Sequence, residues 1–205
     1  MFNKGTTPKH LDKLIKDVNA VRKSITYQVI DMADCAETYM STKGTSFVGF
    51  KQGYSDCLTR NEKNMKESDK IRSTTKDYLK FIHNKDGELV QVDSVRKGRV
   101  DCLFQVYWID GVRYLFPFSG EGGYYPTHTF VTKYKDNCVV EEYMVNGNQI
   151  VYESYTYKKN KDVEYSYMNY VSGGKHPILE ERKGKFQLEP LAYEETFYDS
   201  WLNHR

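Results

Sequence analysis

Tyrosines are the residues of this sequence best equipped for recognition chemistry, and they are not scattered. All of them but Tyr27, Tyr39, Tyr54 and Tyr78 follow Arg99. Tyr152, Tyr155 and Tyr157 fall in one run, Tyr165, Tyr167 and Tyr170 in the next. Side chains alternate along extended backbone, so Tyr155 shares a face with Tyr157, and Tyr165 with Tyr167. Two such runs side by side make an aromatic ladder. Tyrosine brings large contact area at low entropic cost, with a hydroxyl to orient a partner. It also packs well across strands, which is the structural alternative. With Trp108 and the pair Tyr124-Tyr125, the residues Tyr155, Tyr157, Tyr165 and Tyr167 form the candidate contact set for a ligand or partner.

Other reactive residues are not spaced for catalysis. Ser119-Gly120-Glu121-Gly122-Gly123 is glycine-rich, but phosphate cradles of that kind feed a helix N-terminus. This one contains an acid and runs into Tyr124-Tyr125-Pro126. His10, His83, His128, His176 and His204 are not spaced as metal ligands, so no metal and no cofactor is expected. Cys35, Cys57, Cys102 and Cys138 include no CxxC pair and read as free thiols. A hairpin turning at 135–137 places Cys138 near Tyr134 and far from His128, which argues against a dyad between them. Cys102 with His83 or His128 remains open. Glu141, Glu153 and Glu164 alternate with tyrosines and are expected to line one wet face of a sheet. Glu141 and Glu142, as neighbours in a strand, point to opposite faces.

The elements that must position these residues are mostly strands. Asp110-Gly111 divides two alternating runs, 99–109 and 112–118, and has the chemistry of a tight hairpin turn. Val100, Cys102, Phe104, Val106 and Trp108 share one face of the first run, so this hairpin is taken as the core. Further strands are expected at 78–83, 88–93, 128–134, 138–145, 148–158 and 163–171, with Asn146-Gly147 a strong hairpin signal. A small hairpin around Lys183-Gly184 closes the series. Short turns between neighbours demand antiparallel pairing. A sheet of this size is expected to curve strongly or become barrel-like.

Helices are expected at both ends. Thr7-Pro8 is a cap followed by proline at the first helical position. Apolar residues then recur at steps of three and four through Tyr39, predicting a helix over 8–42 of roughly 50 Å. A kink near Ser24-Ile25-Thr26 or a projection toward a partner would accommodate that length. A polar helix is expected over about 55–77, and a short amphipathic one over 191–203. The fold class is therefore α+β: a helical segment over 1–77, then an antiparallel up-and-down β domain over 78–205.

The chain has 205 residues, 28% of them charged, with a net charge of +2. That charge is too small to argue for nucleic acid. Lysines and aspartates interrupt the N-terminal stretch, so neither a signal peptide nor a membrane span is expected, and residence in a cytoplasm is. The expected function is a non-enzymatic interaction module of inhibitor, immunity, phage-encoded or virion type. It would bind a protein or itself through the tyrosine face and the long helix. The alternatives are a small-ligand binder with a cavity inside the curved sheet, and a hydrolase or transferase.

Overall fold

The computed structural model describes residues 7–41, 68–119, 123, 128–136, 138–159, 162–188 and 191–198. The chain divides into two compact units. A helix-bearing unit comprises Met1–Ile25 and His128–Arg205; an inserted unit comprises Thr26–Thr127.

Among the described residues the inserted unit contains a 3-10 turn, Met32–Asp34, and five strands: β1 (Ala36–Ser41), β2 (Tyr78–His83), β3 (Leu89–Arg96), β4 (Arg99–Ile109) and β5 (Val112–Phe118). Each pairs antiparallel with the next. Asp110 and Gly111 both take positive φ, 50° and 75°, as a two-residue mirror-image turn requires. Lys97-Gly98 makes a second turn of the same kind, at 51° and 75°, joining β3 to β4. Four successive residues of β4, Cys102 to Gln105, are buried, so both faces of the sheet are covered there. The outer residues Val100 and Trp108 are exposed instead, at 45% and 58%.

Among the described residues the helix-bearing unit contains α1 (Pro8–Ser24) and six strands, likewise antiparallel in chain order: β6 (Thr129–Lys135), β7 (Cys138–Asn146), β8 (Gln149–Tyr157), β9 (Asp162–Val171), β10 (Ile178–Leu188) and β11 (Leu191–Tyr198). The Thr7 hydroxyl accepts the His10 amide hydrogen at 3.2 Å and caps α1. Leu11, Leu14, Ile15 and Val18 form its buried stripe. At about 1.5–3 kcal/mol for each fully buried side chain, that stripe anchors the helix. His10 meets the Tyr152 ring edge-on, and the Tyr170 hydroxyl donates to Asp12 at 2.8 Å, which holds the helix against β8 and β9.

Four expectations are corrected. The helix ends at Ser24, not near 42: Ile25 is already extended, and Ser24 donates its hydroxyl to the Val21 carbonyl. The β-branched residues Ile25, Thr26, Val29 and Ile30 disfavour continuation. The apolar steps beyond them belong to the 3-10 turn and to β1. Residues 191–198 are a strand rather than a helix, since Leu191–Tyr198 pairs along β10 from Leu188 to Glu181. Gly184 does not turn: it lies opposite Tyr165 on one side and Glu195 on the other, inside β10. Finally, strand order runs in sequence and no described pairing joins β11 back to β1, so the strands do not close into a barrel among the described residues. The polar helix expected over 55–77 lies largely outside the described residues, and its described part, 68–77, is not helical. Among the described residues the chain is mostly β, with one short N-terminal helix. No helix among the described residues is long and apolar enough to cross a membrane.

Candidate functional site

The tyrosine ladder falls in the helix-bearing unit. Tyr155 lies directly opposite Tyr165, and Glu153 opposite Tyr167. All three tyrosines are buried, at 5%, 3% and 7% exposure. Tyr157, half-buried, donates its hydroxyl to the Val139 carbonyl at 2.8 Å. These side chains therefore do not offer the open contact face that their spacing suggested. Trp108 is exposed, and Tyr124 and Tyr125 lie outside the described residues.

The same face carries a row that alternation alone did not disclose. Thr132, Glu142, Glu153, Tyr167 and Arg182 lie side by side on five successive strands. Glu142 and Glu153 are buried. A buried carboxylate is costly unless hydrogen-bonded. The Tyr155 hydroxyl donates to Glu153, and the Thr132 hydroxyl to Glu142 at 3.5 Å. The Arg182 guanidinium stands 4.1 Å from the centre of the Tyr167 ring. Glu153 is thus not on one wet face with Glu141 and Glu164. Those two share the opposite face, through the pairs Glu141–Ser154, Ser154–Ser166 and Thr156–Glu164. Cys138 lies opposite Lys135, at the turn end of β7 and β6.

In the inserted unit, strand register assembles a polar chain across four strands. Gln105 on β4 faces Gln91 on β3; Asp93 on β3 faces Lys80 on β2; Lys80 faces Tyr39 on β1. The Gln105 amide nitrogen donates to Gln91 at 3.3 Å, and Gln91 donates to Asp93 at 2.6 Å. Lys80 Nζ sits 3.2 Å from both Asp93 and Glu37, and the Tyr39 hydroxyl donates to Glu37. Gln91, Asp93 and Gln105 are buried. The hydrogen bond from Tyr39 holds the Glu37 carboxyl below its ordinary value, with Lys80 adding to the effect. Burial pulls Lys80 down, but Asp93 and Glu37 outweigh it and leave it raised from its ordinary value.

The Gln105 end of this chain clamps another stretch of backbone. Its side-chain oxygen accepts the Gln28 N–H at 2.9 Å, and its nitrogen donates to the Gln28 carbonyl at 2.5 Å. One amide thereby satisfies both main-chain groups of a residue that belongs to no strand. The Tyr107 hydroxyl, with one hydrogen to give, lies 2.8 Å from the Thr26 carbonyl oxygen and 2.9 Å from the Gln105 side-chain oxygen and shares that hydrogen between them, and the Tyr27 ring packs edge-on against Phe118.

A cleft of about 290 Å³ opens beside the clamp. One wall comes from Gln28, Ile30, Asp31, Asp34 and Cys35; the other from Asn84, Lys85, Val90, Gln105 and Val106. Two carboxylates against one lysine leave this lining net negative. Asp31 caps the 3-10 turn through the Ala33 amide, and the Cys35 thiol donates to the Asp31 carbonyl at 3.2 Å. Asn84 is committed to its own turn, accepting the Asp86 and Glu88 amides. The cleft lining thus joins three aliphatic side chains, Ile30, Val90 and Val106, to polar groups of both walls.

Cys102 lies opposite Ser94, whose other neighbour is Leu79, whereas His83 lies at the far end of β2; they are not a dyad. Burial, chiefly, pushes the Cys102 thiol up to about 12, the reverse of an activated nucleophile. Burial lowers His128. Among the described residues no group of three or more His, Cys, Asp or Glu side chains is placed to hold a metal ion. No protein-family model, no curated protein and no solved structure matches this chain.

Proposed function

We propose that this protein acts by binding rather than by turnover, and that its site is the cleft of the inserted unit. The observation that carries the reading is the cleft itself, with Asp31 and Asp34 on one wall and Val90, Val106 and the Gln105 amide on the other. Its net negative lining favours a cation, and its three aliphatic side chains favour a short aliphatic stem. The ligand class is therefore a small aliphatic amine, with Lys85 available to a carboxylate if the ligand is an amino acid. Butylamine is the minimal probe, and butyrate, with the same stem and opposite charge, is its control. Titration by NMR should give saturable shifts with butylamine and none with butyrate, and Asp34→Asn should weaken butylamine at least tenfold. Equal responses to both probes contradict the reading.

A protein partner is the second reading. It rests on Trp108 and Val29, which are 58% and 90% exposed. Light scattering distinguishes the two. A concentration-dependent oligomer abolished by Trp108→Ala favours the partner, and a strict monomer in both forms removes the self-association version of it.

A further inference from the structure

We propose that residues 26–34 are a latch over the cleft, and that Gln105 is the positioning residue that couples latch docking to ligand occupancy. The coupling rests on the ligand reading of the cleft; the latch stands on its own geometry. Gln28, Ile30, Asp31 and Asp34 of the cleft lining belong to this segment and Cys35 follows it directly, while the rest comes from the sheet and the turn after β2. Residues 25–31 form no helix or strand. What ties them to the sheet among the described residues is mainly side chain to main chain, the two Gln105 bonds to Gln28 and the Tyr107 bond to Thr26, with one ring contact, Tyr27 edge-on to Phe118. Apolar burial is modest, because Val29 is 90% exposed, Met32 42% and Tyr27 36%, and Ile30 is only half-buried. Hydrogen bonds that exchange with water have modest net worth, so such a segment opens at small cost.

The clamp does not open with it. Gln105 is 2% exposed, and its amide is also bonded to Gln91 and Tyr107. The sheet side of the cleft is thus preset, while the latch side forms only when Gln28 is engaged. A ligand that touches both walls binds the docked state alone. By linkage, occupancy must then favour docking by the same factor that docking favours occupancy.

Hydrogen–deuterium exchange on the full chain tests this. The comparison is wild type, Gln105→Leu and Tyr107→Phe, each with and without butylamine. Tyr107→Phe removes one latch bond with little risk to folding. We expect amides of 27–34 to exchange about tenfold faster in both variants, with β3 and β4 changing far less. We also expect butylamine to slow the latch amides in wild type and to lose that effect in Gln105→Leu. Wild-type exchange rates at 27–34 in both variants overturn the latch. So does a uniform rise over the latch, β3 and β4, which would make the segment part of the core. If butylamine shifts cleft resonances but leaves latch exchange unchanged, the coupling fails and the ligand reading survives. If butylamine does not bind at all, the ligand reading and the coupling both fall, and the contrast between wild type and variants still decides the latch.

Discussion

Lys80 is the residue on which the polar chain of the inserted unit turns. It stands between Asp93, whose side chain is 7% exposed, and Glu37, at 34%. Replacing it with methionine leaves the Asp93 charge buried against Gln91 alone. Breaking a fully buried pair costs about 3–5 kcal/mol; with Lys80 partly exposed, about 2 kcal/mol is expected. Urea unfolding of Lys80→Met should show that loss as a lower midpoint at unchanged slope. A shift worth under about 0.5 kcal/mol would mean that solvent already screens the cluster. The thiols give a second contrast. With its thiol pushed up to about 12 by burial, Cys102 should resist alkylation by iodoacetamide at pH 8, whereas the half-buried Cys35 and Cys138 should react. Peptide mass mapping reads the three sites separately, and prompt labelling of Cys102 in the folded protein would contradict its burial.

At the scale of elements, turn chemistry was the most legible part of the sequence. Asp110-Gly111 predicted its hairpin to the residue, because two successive positive φ values leave few alternatives. Gly111→Ala should therefore cost about 1–2 kcal/mol, measured by thermal or urea unfolding; no loss would mean that the turn relaxes. Asn146-Gly147 predicted a hairpin in the right place with the turn displaced by one residue. Asn146 pairs with Gln149 as the last residue of β7, so Gly147, at φ 60°, is the first central residue. Lys97-Gly98 gave a weaker signal and was missed. Periodicity misled where two periods coincide. Steps of three and four from Val21 to Tyr39 suit a helix, yet Ala36–Ser41 extends as β1. The β-branched residues at 25, 26, 29 and 30 were the contrary sign. Leu191–Tyr198 misled for the same reason: Tyr193, Thr196, Phe197 and Tyr198 are strand formers inside a pattern that also fits an amphipathic helix. The cleft was illegible, because it depends on which backbone Gln105 meets across 77 positions of sequence. The buried face of tyrosines and glutamates was half legible: alternation placed the side chains together but did not say which face was covered.

For the whole molecule, the ionisable groups predict a stability plateau with two flanks. Glu37 is held low by Tyr39 and Lys80, and Asp12 by Ser172 and Tyr170. A carboxyl whose folded value is depressed stabilises above its unfolded value and loses that contribution as pH falls through the folded one. Stability should therefore decline below about pH 4. Burial lowers His128, which adds a loss as pH falls below about 6.5, where the unfolded imidazole takes up a proton. Lys80 is raised by Asp93 and Glu37 against burial, Tyr39 chiefly by Glu37, and Tyr107 and Tyr170 chiefly by burial. A raised group stabilises below its unfolded value and loses that as pH rises through the folded one; burial raises the Cys102 thiol too, so stability should begin to fall above about pH 8.5 and fall further above about pH 10. Melting temperatures across pH 3–11 check both flanks, and a monotonic profile would contradict the assignment.

Binding in the cleft is the claim from which the rest of the functional account follows, and residue-resolved NMR titration with butylamine tests it most directly. The account predicts saturable shifts at Gln28, Asp34, Lys85, Val90 and Gln105, absent with butyrate and weakened in Asp34→Asn. Saturable shifts confined to other residues, or no saturable shift at all, would contradict it.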